Sequence, residues 1–367
     1  AIFLEAASML ISSSLHTSFV TVFKFWPNLA DFISAFIIYK FLIKTKTKPV
    51  NAALWSTFFL LNPISIIISS AHGQIDSITS LFVLLSIFTL TIYPKKLLIY
   101  LSALFLGLAI AFKPNPAILI PLFILYRKIN MRQRITYLIV VLVPLLIFMI
   151  PFLGQNPNLV IFKMLSYSGV NDLSYAAILR GIWYQNNALT TLPLSSELLN
   201  ASKFIFATAA FSLILLFAGG KHLIKASLAI YLLFLSVYFG IGSQYLVWVI
   251  PLAILAKDKM VFWYSFFGLF ALLGFYLFFG PDILLGKLNF ILPYQTKNIY
   301  LYFLGNLVLW IFSLVWLKKI IRSYIKDNFM AFGQIRKMLV YFSFTLFTFS
   351  LIPMLYLIIE LFKLYGR

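Results

Sequence analysis

Apolar runs of about 17 to 25 residues follow one another along almost the whole chain, the length a helix needs to cross roughly 30 Å of hydrocarbon. With 62% of its 367 residues hydrophobic and only 10% charged, the chain has too little polar side chain to coat a water-soluble globule. Lipid offers no hydrogen bonds to the backbone, so a spanning chain folds as helices or as a closed barrel. The runs lack the apolar-polar alternation of barrel strands, and helices follow. The expectation is an all-α, polytopic transmembrane helical bundle of about 11–12 spans, forming one transmembrane domain over residues 1–367.

The spans are placed at 27–43, 50–70, 77–93, 97–112, 117–126, 135–153, 204–219, 223–240, 245–256, 260–279, 299–317 and 338–361. The net charge of +20 then sorts by side. Alternate connectors carry Lys40, Lys44, Lys46 and Lys48, then Lys95 and Lys96, then Arg127, Lys128, Arg132 and Arg134. The same side continues through Lys221, Lys225, Lys257 and Lys259 to Lys318, Lys319, Arg322, Lys326, Arg336 and Lys337. The opposite side has Lys24, Lys113, Lys163, Arg180, Lys203, Lys287 and Lys297. Basic connectors stay in the cytoplasm, so the crowded side is expected to be cytoplasmic. Such alternation argues against a nucleic-acid footprint. There is no cysteine, and His16, His72 and His222 are too scattered to suggest a metal cluster, so no cofactor is expected. Metal dependence stays open, with Asp76, Asp172 and Asp282 too far apart in sequence to argue for a site.

Scarce carboxylates gather on the other, extracytoplasmic side: Glu5, Asp31, Asp76, Asp172, Glu197 and Asp282. That side also holds the largest connector, 154–203, while residues 1–26 read as the remainder of another outer loop, with AIFLEAASMLISSS a candidate helix along the surface. Four outward stretches depart from oily sequence. In His72-Gly73-Gln74-Ile75-Asp76 a glycine permits a sharp turn between two spans, and Asp76 or Ser77 serves equally as helix N-cap or as part of a site. In Lys113-Pro114-Asn115-Pro116 two prolines stop the helix beside a lysine suited to a phosphate or to snorkelling. Gly240-Ile241-Gly242-Ser243-Gln244-Tyr245-Leu246-Val247-Trp248 offers in Gln244 a hydrogen-bonding amide for sugar hydroxyls, beside Tyr245 and Trp248, which also suit an interfacial belt. Asp172 and Arg180 lie in the long loop among Tyr167, Tyr175, Trp183 and Tyr184. Asp31, about one turn inside a span starting at Pro27, is costly unless paired, functional or within reach of water.

The order WPNLAD, a basic loop, LWSTFFLLNPISIIISSAHGQIDSI, GLAIAFKPNPAILIPLF and GSQYLVWVIPL resembles the GT-C superfamily of integral-membrane glycosyltransferases. The likeness is to its polyprenyl-phosphate-dependent branch, which includes mannosyltransferases, and it covers roughly Ala1 to Ala256. It implies transfer of a sugar from a polyprenyl-phosphate donor to a hydroxyl of a glycan or glycolipid acceptor at the extracytoplasmic face, with inversion. A carboxylate would take the acceptor's proton and cations would hold the departing phosphate. Lys113 and Arg180 would serve the phosphate, and His72, Gln74, Asp76, Gln244 and Tyr245 the sugar or acceptor.

The family's catalytic acid typically precedes the point at which this chain opens, so the expectation is an N-terminally truncated enzyme whose base lies upstream of Ala1, with Asp31, Asp76 and Glu5 the nearest acids present. The resemblance further implies a multi-pass protein of a prokaryotic plasma membrane. A transporter or flippase for a lipid-linked sugar is the rival; it would show internal repeats and ionisable groups at mid-membrane.

Overall fold

A computed structural model describes residues 2–92, 95–126, 129–166, 169–183, 192–220, 222–286, 298–329 and 332–365. Arg127, Lys128, Tyr167, Tyr184, Lys221, Lys287 and Lys297 lie outside the described residues, as does the side chain of Lys163. No strand occurs among the described residues. In chain order the helices are α1 (Ile2–Ser14), α2 (Phe19–Lys44), α3 (Pro49–Leu60), α4 (Pro63–Ser65), α5 (Asp76–Ile92), α6 (Lys96–Phe112), α7 (Ile120–Ile124), α8 (Met131–Leu153) and α9 (Pro157–Ser166). They continue with α10 (Ser174–Ile182), α11 (Ser195–Phe217), α12 (Leu223–Val237), α13 (Val249–Leu255), α14 (Met260–Phe279), α15 (Pro281–Leu285), α16 (Asn298–Asn328) and α17 (Gln334–Tyr365). A π-helical stretch, Ile66–His72, continues α4, and 3-10 turns at Asn115–Leu119 and Ser243–Trp248 lead into α7 and α13.

Among the described residues seven helices are long and apolar enough to cross a bilayer, and they fit a multi-pass membrane protein. Every segment expected to span is helical, but five of the 11–12 are shorter than a full crossing. The cause is local: Gly73-Gln74 delays the start of α5, and Lys113-Pro114 ends α6. On α8 the exposed residues include Ile135, Ile139, Leu142, Leu146 and Ile150, an apolar face of the kind that meets lipid.

Two boundaries differ from the sequence reading. Within residues 1–26 the opening stretch forms α1, Ile2–Ser14, and α2 begins at Phe19, ahead of the expected start at Pro27. Pro27 sits inside α2 instead of starting it, so Asp31 stands near the middle of a 26-residue helix instead of one turn from its end. In the long connector, α9 and α10 take up much of the chain and α11 starts at Ser195.

The chain divides into two compact units. The first comprises Ala1–Tyr167, Gly219–Ile224 and Val247–Val261. Within it α2 packs on α3 and α5, α5 on α6, α6 on α8, and α13 on α2, α3 and α5. Basic connectors meet at one end of this unit: Lys257 Nζ lies 3.5 Å from Thr45 O, and Gly219 N donates to Leu125 O at 3.1 Å. The second unit comprises Ser168–Ala218, Lys225–Leu246 and Phe262–Arg367, with α10 on α16 and α11 on α17.

Candidate functional site

The first unit gathers its unusual polar residues at the helix ends away from the basic connectors, and a broken span positions them. Pro63 lacks the N–H to continue α3, and Asn62 caps the restart by accepting from Ile64 N at 3.1 Å. The restarted helix widens into the π-helix, a geometry often found where a helix serves a site. It stops at Gly73, whose φ of +84° belongs to the left-handed region, and both Gly73 N and Gln74 N donate to Ile68 O. A Cβ on Gly73 would come within 2.9 Å of Lys24 Cγ, so glycine also lets the lysine stem cross the turn. Lys24 then donates to Ala71 O at 2.5 Å, placing a cation at the negative end of the π-helix.

Across that turn Lys113 Nζ meets Asp76 Oδ2 at 2.5 Å. Asp76 is fully buried at the start of α5, and the Lys113 side chain retains 17% exposure. The lysine is extended, with φ −146° and ψ 136°, because Pro114 disfavours a helical conformation before it. The Trp248 indole acts on the same carboxyl. His72 Nε2 and Gln74 Nε2 lie 3.0 Å apart, and the charges of Lys24 and Lys113 both reach the imidazole. Behind them Ala30, Ile75, Ile78 and Leu81 form an apolar wall with Leu4, Phe23, Trp26 and Phe112. The tertiary structure thus unites His72, Gln74, Asp76 and Lys113, four of the residues singled out in the sequence. Lys24 is an addition, and Trp248, read in the sequence as an aromatic of the interfacial belt, joins them; the one clue to Lys24 was that it is among the few basic residues off the crowded side.

The other candidate acids separate by environment. Asp31 is 5% exposed and touched by Ser69, whose hydroxyl lies 3.1 Å from that of Ser77. Glu5 is exposed in the first turn of α1. Among the described residues no group of three histidines or carboxylates could hold a metal ion.

Arg180, Gln244 and Tyr245 belong to the second unit. Arg180 Nη1 lies 3.5 Å from Asp172 Oδ1 and donates to Asn171 O at 3.1 Å, while its guanidinium covers the Phe279 ring at 4.9 Å. Tyr302 donates to Asp172 O at 2.7 Å, and Asp172 N and Leu173 N both donate to Ile241 O. Gln244 folds back on Gly242 and accepts from Ser243 Oγ at 3.4 Å. Tyr245 is 1% exposed and packs near Phe234, so its ring serves the core instead of offering a surface to a sugar.

Burial pushes the Asp172 carboxyl up to about 6, although the Arg180 guanidinium opposes the shift. A raised folded pKa means that the folded state binds more protons than the unfolded state between the two pKa values. Stability from this group is therefore complete below the unfolded value of 3.8 and is lost as pH rises through about 6. Asp172→Asn is expected to flatten the stability–pH curve between pH 4 and 6 by about 2 kcal/mol, read from unfolding midpoints across that window. An unchanged slope in the variant would place the titration elsewhere.

Compared with protein-family models, curated proteins and solved structures, the chain matches none of them.

Proposed function

We propose that the chain is a membrane glycosyltransferase of GT-C type, using a polyprenyl-phosphate sugar at the extracytoplasmic face. The observation that carries this reading is the cluster of Lys24, His72, Gln74 and Lys113 around a fully buried Asp76, at one end of the apolar helices of the first unit. Two lysines against one carboxylate leave a net positive charge, and an anionic phosphate would complete it. In the reaction the acceptor oxygen forms a bond to the anomeric carbon as the bond from that carbon to the phosphate oxygen breaks. The phosphate leaves with the electron pair toward Lys24 and Lys113, and His72 and Gln74 supply hydrogen bonds nearby.

Asp76, fully buried, holds Lys113 in place. The acceptor's proton goes to a carboxylate; of the three acids named in the sequence, Glu5 on α1 is exposed, whereas Asp31 and Asp76 are buried.

The full chain, purified in detergent, is expected to bind a polyprenyl phosphate with quenching of tryptophan fluorescence. Lys24→Met should weaken that binding by about 10- to 100-fold, the value of a charge-assisted hydrogen bond. Equal affinity in the variant would remove Lys24 from the phosphate site. The rival reading, a transporter of lipid-linked sugars, is favoured by the broken span Pro49–His72 and by Asp31 near mid-helix. In proteoliposomes a transferase releases free polyprenyl phosphate as the sugar moves to an acceptor, whereas a transporter moves the intact lipid between leaflets.

A further inference from the structure

We propose that Asp31, Ser69 and Ser77 bind a sodium ion inside the first unit. Asp31 lies about 10 Å deeper along α2 than Lys24, counted at the rise of an α-helix. Its residue is 5% exposed, and its Oδ1 has no hydrogen-bond partner. An ionised carboxylate so placed, lacking a compensating charge, is among the most costly groups in a membrane protein. The ion pairs found among the described residues leave Asp31 out.

The acid meets one neutral hydroxyl, and that hydroxyl leads to a second. Ser69 contacts the carboxyl, and its hydroxyl lies 3.1 Å from that of Ser77. Ser69 and Ser77 are both almost wholly buried, as is Ser65, one turn before Ser69, whose Oγ is also without a partner. One carboxylate among hydroxyls is a hard, all-oxygen donor set. Its single negative charge is cancelled by a monovalent ion, whereas a divalent ion would leave a net charge buried at that depth. The line from Asp31 through Ser69 to Ser77 ends beside Asp76, next to the surface cluster in sequence. The inference stands independently of the sugar chemistry.

The test is thermal unfolding of the purified full chain in sodium, potassium and choline chloride at equal ionic strength. Sodium should raise the midpoint saturably by about 3–5 °C, the size expected when a ligand binds only the folded state. Asp31→Asn should abolish that response, and Ser69→Ala should raise the half-saturating sodium concentration about tenfold. Should Asp31→Asn not fold, direct binding of radioactive sodium to the unmodified chain and to Ser69→Ala decides, one saturable ion per chain being expected. Equal midpoints in the three salts with no saturable sodium binding would mean that Asp31 holds a proton, and the proposal fails. A sodium response surviving in Asp31→Asn overturns it equally.

Discussion

Replacing Asp76 with asparagine is expected to lower the free energy of unfolding by about 3–5 kcal/mol, because the substitution strands the Lys113 ammonium in a largely dry site. The pair spans 37 residues of sequence at 2.5 Å, with the acid wholly buried and the lysine only 17% exposed, so water replaces the lost partner only in part. Lys113→Met should cost a similar amount by leaving the Asp76 carboxylate without its cation. The double variant Asp76→Asn with Lys113→Met is the informative one: a packed neutral pair recovers much of the loss, since burying both ions was itself expensive. Denaturant or thermal unfolding of the four proteins gives the coupling. Purely additive losses would show that the two side chains do not meet in the folded protein.

The second large effect lies in the other unit, where α14 and α16 approach almost backbone to backbone. A Cβ on Gly274 would stand 2.5 Å from Tyr302 N, 2.6 Å from its Cα and 2.7 Å from the carbonyl carbon of Leu301. A Cβ on Gly305 would stand 2.9 Å from the Phe270 carbonyl oxygen and 3.0 Å from Ala271 Cα, a close but looser approach. Small residues that let helices touch are a main source of packing between helices in lipid, where the hydrophobic effect no longer drives them together. Side chains could bend away from an added methyl; backbone cannot. Gly274→Val is therefore expected to destabilise the second unit by about 3 kcal/mol, and Gly274→Ala by about 1–2 kcal/mol. Gly333 is the control: a Cβ added there would meet nothing within 4 Å, and its alanine variant should unfold almost unchanged. A valine at position 274 that leaves the unfolding midpoint in place would refute the close crossing.

Much of this architecture was legible because helix formation in lipid is a local requirement. An apolar run must satisfy its own backbone, and Pro63, Gly73 and Pro114 interrupt it wherever they fall. His72, Gln74, Asp76 and Lys113 stood out for the same reason: each is polar where its neighbours are not. The start of α2 was not legible, since Lys24 and Pro27 made residues 19–26 look like loop. That single displacement changed Asp31 from an acid near an interface to an acid near the middle of a helix.

By itself the chain determined an all-helical protein rich in apolar spans, the points at which those spans break, and which few polar residues depart from the pattern. Tertiary structure alone decided that Lys113 pairs with Asp76, that Lys24 and Trp248 join them, and that Ser69 and Ser77 line up behind Asp31. The division has a physical cause. A helix is specified by neighbours three and four residues away, whereas the partner of a buried charge is whichever group the packing of distant helices delivers to it.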